Sequence, residues 1–127
     1  MSTHIKIDSM AFSGHAELLR KELAQIFTLK AVEWVHKKNI TNPERINTLA
    51  IYFLKKAEEE FERKLRQDFP NPDYEPYIGL ACLGSIKFFD NLRETIKTSI
   101  HSSLASKAGK LSDVNSISYY NSAASDE

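Results

Sequence analysis

Hydrophobic residues recur at helical spacing through most of the chain, most clearly in the segment 43–69. Asn42 can cap the first turn, Pro43 fits the first helical position because its missing N–H costs nothing there, and Pro70 ends the segment. The apolar positions lie three or four residues apart: Ile46, Leu49, Ala50, Phe53, Leu54, Ala57, Phe61 and Leu65. The opposite side carries glutamates four residues ahead of lysines or arginines, which is typical of a solvated face. The segment predicts a long amphipathic helix.

A second amphipathic pattern precedes this helix and predicts a helix from about His15 to Lys38. Seven apolar residues share one broad face of a helical wheel: Ala16, Leu19, Leu23, Ile26, Phe27, Ala31 and Trp34. Leu18, Leu29 and Val32 fall on nearly the opposite side, and such a second apolar stripe needs cover from another helix or another chain. Because the connection 39–42 is short, we expect the two helices to form an antiparallel hairpin.

A third helical pattern follows a proline-rich turn and is expected to begin near Asp73 or Glu75 and to run to about Ser106. Its stripe comprises Ile78, Ala81, Ser85, Phe88, Phe89, Leu92, Ile96, Ile100 and Leu104. The first part is rich in small residues, including Gly79 and Cys82, and small side chains let another helix approach closely. Gly84 is a point at which the element can divide into two helices.

These patterns predict an all-α fold, with three long helices in an up-down bundle and a possible break near Gly84. The length of 127 residues suits one domain. We expect a single helical domain over residues 1–108, with a short arm at 1–12, and a serine-rich tail over 109–127. Ile117 and Tyr120 belong to a three-residue apolar repeat in this tail, which is therefore either mobile or docked on a partner.

The composition limits the classes of partner and compartment. Seventeen basic residues balance seventeen acidic ones, so the molecule has no net field to gather nucleic acid or anionic lipid. The single Cys82 cannot form a disulfide within the chain, which favours a reducing compartment, and we predict a cytoplasmic location. The N-terminal sequence lacks the pattern of a secretory signal. No apolar run approaches the roughly 18 residues of a membrane span, so no membrane partner is expected.

One pair of residues is a candidate metal site. Glu33 and His36 form a Glu-x-x-His pair on one helix, an arrangement that occurs twice in ferritin-like di-iron bundles but once here. His36 is better explained as a surface residue or as a cation near the end of a helix. A metal-dependent helical enzyme using Glu33 and His36 is the first alternative function.

Other catalytic signatures are absent from the sequence. Cys82 has no neighbouring base that would activate its thiol, and its apolar surroundings predict an inert, packed side chain. Gly79 and Gly84 are not followed by a lysine, so they do not form a phosphate-binding loop. We therefore expect no catalytic residue and no cofactor.

The two helices and their short turn also allow a helix-turn-helix interpretation. Lys37, Lys38 and Arg45 would contact phosphates, while Asn47 and Thr48 would face bases. Against it, the second helix is long for a recognition helix and continues into the acidic residues 58–60, whose charge would oppose the phosphate backbone. A DNA-binding regulator is therefore the second alternative, and nucleic acid is not the expected partner.

The remaining interpretation is recognition through apolar helix surfaces. We predict a non-enzymatic protein–protein interaction module, such as a regulator, adaptor or assembly chaperone. The expected partner-binding residues are Leu18, Leu29, Val32, Gly79, Cys82, Ile117 and Tyr120. We expect a symmetric homodimer, because it would cover these surfaces most simply; the competing arrangement has the third helix covering them within one chain.

Overall fold

The computed structural model describes the backbone of residues 8–117 and the side chains of residues 8–106. Every element in this range is helical: α1 (Ser9–Lys38), α2 (Pro43–Asp68), a 3₁₀ turn (Pro72–Tyr74), α3 (Glu75–Gly84) and α4 (Ile86–Ile117). The all-α prediction is confirmed for these residues, but the number of packed helices is four instead of three. None of these helices has a stretch long and apolar enough to cross a membrane.

The start of α2 follows the predicted capping chemistry. The Asn42 side chain accepts hydrogen bonds from the backbone N–H groups of Glu44 and Arg45, at 2.8 and 3.2 Å, and Pro43 occupies the first turn. The helix ends at Asp68, directly before Phe69 and Pro70. Both ends of this helix therefore lie where the local sequence predicts them.

The first helix begins earlier than its sequence predicts. It starts at Ser9 and so includes residues 9–12, which the pattern assigns to an arm, whereas the expected start was His15. Asp8 caps the first turn by accepting a hydrogen bond from the Ala11 N–H at 3.0 Å, and Phe12 is buried in the core. Together the cap and the burial outweigh the low helix propensity of Gly14.

The turn between α1 and α2 depends on Asn39. This residue adopts the left-handed conformation, with φ of 54°, and its N–H bonds back to the carbonyl groups of Val35 and His36. Asparagine tolerates this conformation better than most residues. Ile40 is then buried, and the predicted hairpin forms.

The third predicted helix divides at the Gly84–Ser85 position into α3 and α4. Ser85 is fully buried; its hydroxyl donates to the Ala81 carbonyl at 2.6 Å and accepts from Arg20 Nη1 at 3.1 Å. The second helical segment then continues to Ile117, beyond the domain boundary expected at residue 108. The break that the sequence allows near Gly84 is present in the structure.

Helices α1, α2 and α4 pack around one hydrophobic core, and α3 covers one end of it. Arg20 contacts Ser85 and His36 contacts Ser103, so α1 and α4 pack directly against each other and run in the same direction. The contact between His15 and Asp68 shows that α2 runs antiparallel to α1. The largest fully buried side chains belong mainly to α2 and α4: Phe61, Phe89, Ile46, Leu65, Ile78, Ile96, Ile100 and Val35.

The buried face of α1 differs from the predicted one at two places. Ile26 and Trp34, both expected in the core, are exposed, whereas Val35 is buried. The two buried positions in the second half of α1, Ala31 and Val35, are four residues apart, so the buried face rotates by about 40° from one to the next as the helix crosses its neighbours. This rotation turns Trp34 away from the core.

Candidate functional site

An open groove of about 920 Å³ lies between the second half of α1 and the first half of α2. Its described lining residues all belong to these helices or to the turn between them. Five are apolar or aromatic, namely Trp34, Ile40, Leu49, Tyr52 and Phe53. The others are polar or charged, namely Lys30, Glu33, Lys37, Glu44, Arg45 and Thr48.

Helical periodicity brings these residues to one surface. On α1 the lining positions 30, 33, 34 and 37 are spaced by three and four residues, as are 45, 48, 49 and 52 on α2. The fourth helix packs along another side of α1, where His36 contacts Ser103. As a result, α4 contributes no described residue to the groove, which stays open to solvent.

Two aromatic side chains dominate the exposed part of the groove. Trp34 is 42% exposed and Tyr52 is 53% exposed, while Phe53 and Ile40 beneath them are buried. Lys38 Nζ lies 5.1 Å from the centre of the Trp34 ring, and Lys56 Nζ lies 5.5 Å from that of Tyr52. Aromatic residues that keep one face open above an apolar floor are the usual anchors of protein interfaces.

Most charges along the groove have no ion-pair partner in the described chain. Lys37 and Arg45 form none with any residue of the described range, and neither do Glu33 and Glu44. Lys30 is engaged elsewhere, because its Nζ lies 5.4 Å from the centre of the Phe27 ring and its charge helps to lower the pKa of Glu60. Elsewhere on α2, by contrast, Arg63 pairs with Glu60 at 2.6 Å and Arg66 pairs with Glu62. The groove thus combines apolar area with unpaired charges.

The predicted metal pair does not converge on one site. Glu33 lines the groove, whereas His36 Nε2 lies 2.5 Å from the Ser103 hydroxyl between α1 and α4. His36 lies in the last turn of α1, as one of its two predicted interpretations has it, but it is not a free surface residue, because it is partly buried against α4 and its Nδ1 has no hydrogen-bond partner in the described chain. Within residues 8–106, no three His, Cys, Asp or Glu side chains lie close enough together to hold a metal ion.

The second apolar stripe of α1 is smaller than predicted. Leu18 and Leu29 are 57% and 62% exposed, as expected for a surface stripe. Val32 instead is partly buried and packs against the hydrophobic core, because the buried face of α1 has rotated towards it at this level. Two separated leucines remain of the three-residue stripe.

The predicted small-residue surface of α3 is only partly open. Gly79 is exposed, and a Cβ atom built there would meet nothing within 4 Å. Cys82 is partly buried, and this burial, followed by the charge of Glu62, raises the pKa of its thiol. Leu80 and Leu83 are exposed beside it, although the sequence pattern did not single them out. The Ile117 side chain and the whole of Tyr120 lie outside the described residues.

The residues considered for DNA contact divide between two environments. Lys37, Arg45 and Thr48 line the groove, whereas Asn47 is partly buried. The helix that would read bases has 26 residues and is much longer than a usual recognition helix.

The sequence reasoning missed the groove itself. It assigned Trp34 to the core and assigned no role to Tyr52. A signal did exist on α2, where Tyr52 lies next to the core residue Phe53 and one turn from Leu49, at the border between the apolar stripe and the charged face. An aromatic residue at such a border is half-covered at best, and it marks an apolar surface wider than the core requires.

Comparisons with models of protein families, with curated proteins and with solved structures find no match to this chain.

Proposed function

We propose that this protein is a non-enzymatic interaction module that binds an apolar helical segment of another protein in the groove between α1 and α2. The observation that carries the proposal is the pair of exposed aromatic residues, Trp34 and Tyr52, in one open groove with a buried apolar floor. Such a module acts as a regulator, adaptor or assembly chaperone by holding its partner. We place it in the cytoplasm, where a lone, partly buried thiol such as Cys82 stays reduced.

The dimensions of the groove support a helical occupant. The lining positions on α1 span 30–37, about 10 Å of helix, and those on α2 span 44–53, about 14 Å. An amphipathic helix that presents apolar residues at i, i+3, i+4 and i+7 covers about the same length. Its apolar face would cover Trp34 and Tyr52 and so remove their ring surfaces from water, which is favourable by about 25 cal/mol per Å² of apolar area.

Affinity capture from a native lysate tests the proposal when a groove variant is compared with a surface variant. Tyr52→Glu places a charge in the groove at an exposed position of α2, so the helix is expected to persist while partner binding is lost. Ile86→Glu places the same charge on α4, outside the groove, where the side chain is similarly exposed, and is expected to leave partner binding intact.

Circular dichroism of both variants verifies that the helical content is unchanged before the capture is compared. A partner retained by wild type and by Ile86→Glu, but lost with Tyr52→Glu, supports the groove as the binding site. Equal retention by all three proteins, or selective loss with Ile86→Glu, would contradict it.

Self-association through the Leu18 and Leu29 stripe is a second part of the proposal. A symmetric dimer would bring the stripe of one copy against that of another. Because Val32 packs inward, the remaining patch is small and we propose a weak dimer that forms at high protein concentration. Light scattering over a concentration series should show an increase in mass that Leu29→Glu removes; a constant monomer mass in both proteins contradicts the dimer.

A further inference from the structure

We infer that the groove selects an acidic amphipathic helix, with carboxylates flanking its apolar face. This inference rests on the proposed function, because it names the chemistry of the partner that occupies the same groove. It starts from the positions of the charges around the exposed aromatic residues.

The cations of the groove are the charges closest to its apolar floor. On a helical wheel, Lys30 and Lys37 lie within about 40° to 60° of Trp34, while Glu33 lies about 100° away. On α2, Arg45 lies about 40° from Leu49, while Glu44 lies about 140° away. The two lysines and the arginine therefore border the apolar floor, whereas the one glutamate on each helix lies farther from it.

Two of these cations are available to a partner. Lys37 and Arg45 lack an ion-pair partner in the described chain, and Lys38 lies over the Trp34 ring without one. Lys30 instead lies over the Phe27 ring. A helix seated on Trp34 and Tyr52 would bring the residues beside its apolar face towards these cations. Carboxylates in those flanking positions would form ion pairs at the edge of a desolvated surface, whereas lysines there would meet like charge.

Two synthetic peptides can test this preference with the full-length chain. Each is an amphipathic helix of about 16 residues with leucines at i, i+3, i+4 and i+7; one carries glutamates on both flanks, and the other carries lysines at the same positions. Because Trp34 is the one tryptophan of the chain, its fluorescence emission reports occupancy of the groove directly. A DNA duplex of about 20 base pairs serves as a polyanion without an apolar face.

The glutamate peptide should bind about tenfold more tightly than the lysine peptide at low salt and shift the Trp34 emission to shorter wavelength. Raising the salt to about 0.5 M should remove most of the difference, because flanking ion pairs are screened. The double variant Lys37→Glu and Arg45→Glu should reverse the preference. Lys87→Glu, an exposed charge reversal on α4, should leave it unchanged.

Equal binding of the two peptides, tighter binding of the lysine peptide, or an unchanged preference in the double variant would overturn the inference while leaving groove binding intact. Tighter binding of the duplex than of the glutamate peptide would overturn it in favour of nucleic acid. If neither peptide bound and the Trp34 emission stayed constant, the proposed function itself would be contradicted.

Discussion

Ser85 lies where α3 meets α4, and it is the fully buried polar side chain of the described core. Its hydroxyl bonds to the Ala81 carbonyl one turn earlier and accepts a hydrogen bond from Arg20 on α1. A serine that bonds back to the preceding turn bends a helix, and the guanidinium group, 5.8 Å from the Phe88 ring, holds the bend against α1. The Ser85 side chain thus links the break between α3 and α4 to the packing of these helices against α1.

Replacing this hydroxyl is expected to reduce stability. Ser85→Ala removes the acceptor of Arg20 from a partly buried site, which should lower the free energy of unfolding by about 1 kcal/mol. Urea unfolding followed by circular dichroism measures this change. Ser102→Ala, at an exposed position of α4, is the matched control and should change stability by less than about 0.5 kcal/mol. An equal effect of the two substitutions would show that the Arg20 contact carries no net stabilisation.

For Gly79 we predict the opposite effect, a gain in stability on substitution. The residue is helical and exposed, and an added Cβ atom would meet nothing within 4 Å. Gly79→Ala should therefore raise the free energy of unfolding by about 0.5 to 1 kcal/mol, because alanine restricts the unfolded chain without a clash in the folded one. Thermal unfolding checks this, with Gly14→Ala on α1 as a comparison that should behave alike. A loss of stability at Gly79 alone would contradict the open surface described for α3.

At the scale of whole elements, the corner between α2 and α3 is held by charge and by aromatic packing. Arg66 in the last turn of α2 donates to both carboxylate oxygens of Glu75 at 3.0 Å, and it also contacts Glu62. Beneath this pair, Phe69 packs against Phe12 and Tyr74 with ring centres 4.8 Å apart in each case. The Arg66 ion pair and the ring contacts of Phe69 therefore together fix the position of α3 relative to α2.

The Arg66 contact makes this corner sensitive to acid. The guanidinium hydrogen bonds lower the pKa of Glu75 below its ordinary value of 4.5, so their contribution to stability is present above that pH and is lost as the pH falls through the lower folded value. Glu58 acts in the opposite direction. Burial, and then Asp90, raise the pKa of Glu58, so its protonation favours the folded state as the pH falls.

Glu75→Gln should therefore lower the urea midpoint at pH 7 and reduce the further loss of stability as the pH falls below 4.5. The measurement is a set of urea unfolding curves at these pH values. Glu22→Gln, at an exposed position of α1, should leave both the midpoint at pH 7 and the acid dependence as they are in wild type. A Glu75→Gln protein with the wild-type acid dependence would show that the corner does not respond to this carboxylate.

Considered as a whole molecule, the fold was predictable where local chemistry determines it. Asn42 and Pro43 set the start of α2, and Gly84 marked the position of the break. The start of α1 was not predictable in the same way, because Phe12 becomes favourable in a helix only when Phe69 and Tyr74 are folded around it. Long-range burial there outweighed the local propensity of Gly14.

The candidate site was harder to predict for a related reason. A wheel describes one helix, but the exposure of Trp34 and the burial of His36 depend on which side of α1 the fourth helix covers. Of the three stripe residues, Leu18 and Leu29 are exposed while Val32 packs against the core, because the buried face rotates along α1. Only the packed arrangement of helices separates an apolar residue of the core from one that lines an open groove.

The most direct test of the central claim is a fluorescence titration of the full-length chain with the protein that it captures. The account predicts that Trp34 emission shifts to shorter wavelength and saturates as the groove fills, and that Tyr52→Glu weakens the affinity by at least about tenfold, the effect of losing one interface anchor. An unchanged Trp34 emission at saturating partner, with equal affinity for wild type and Tyr52→Glu, would show that the partner binds elsewhere and contradict the account.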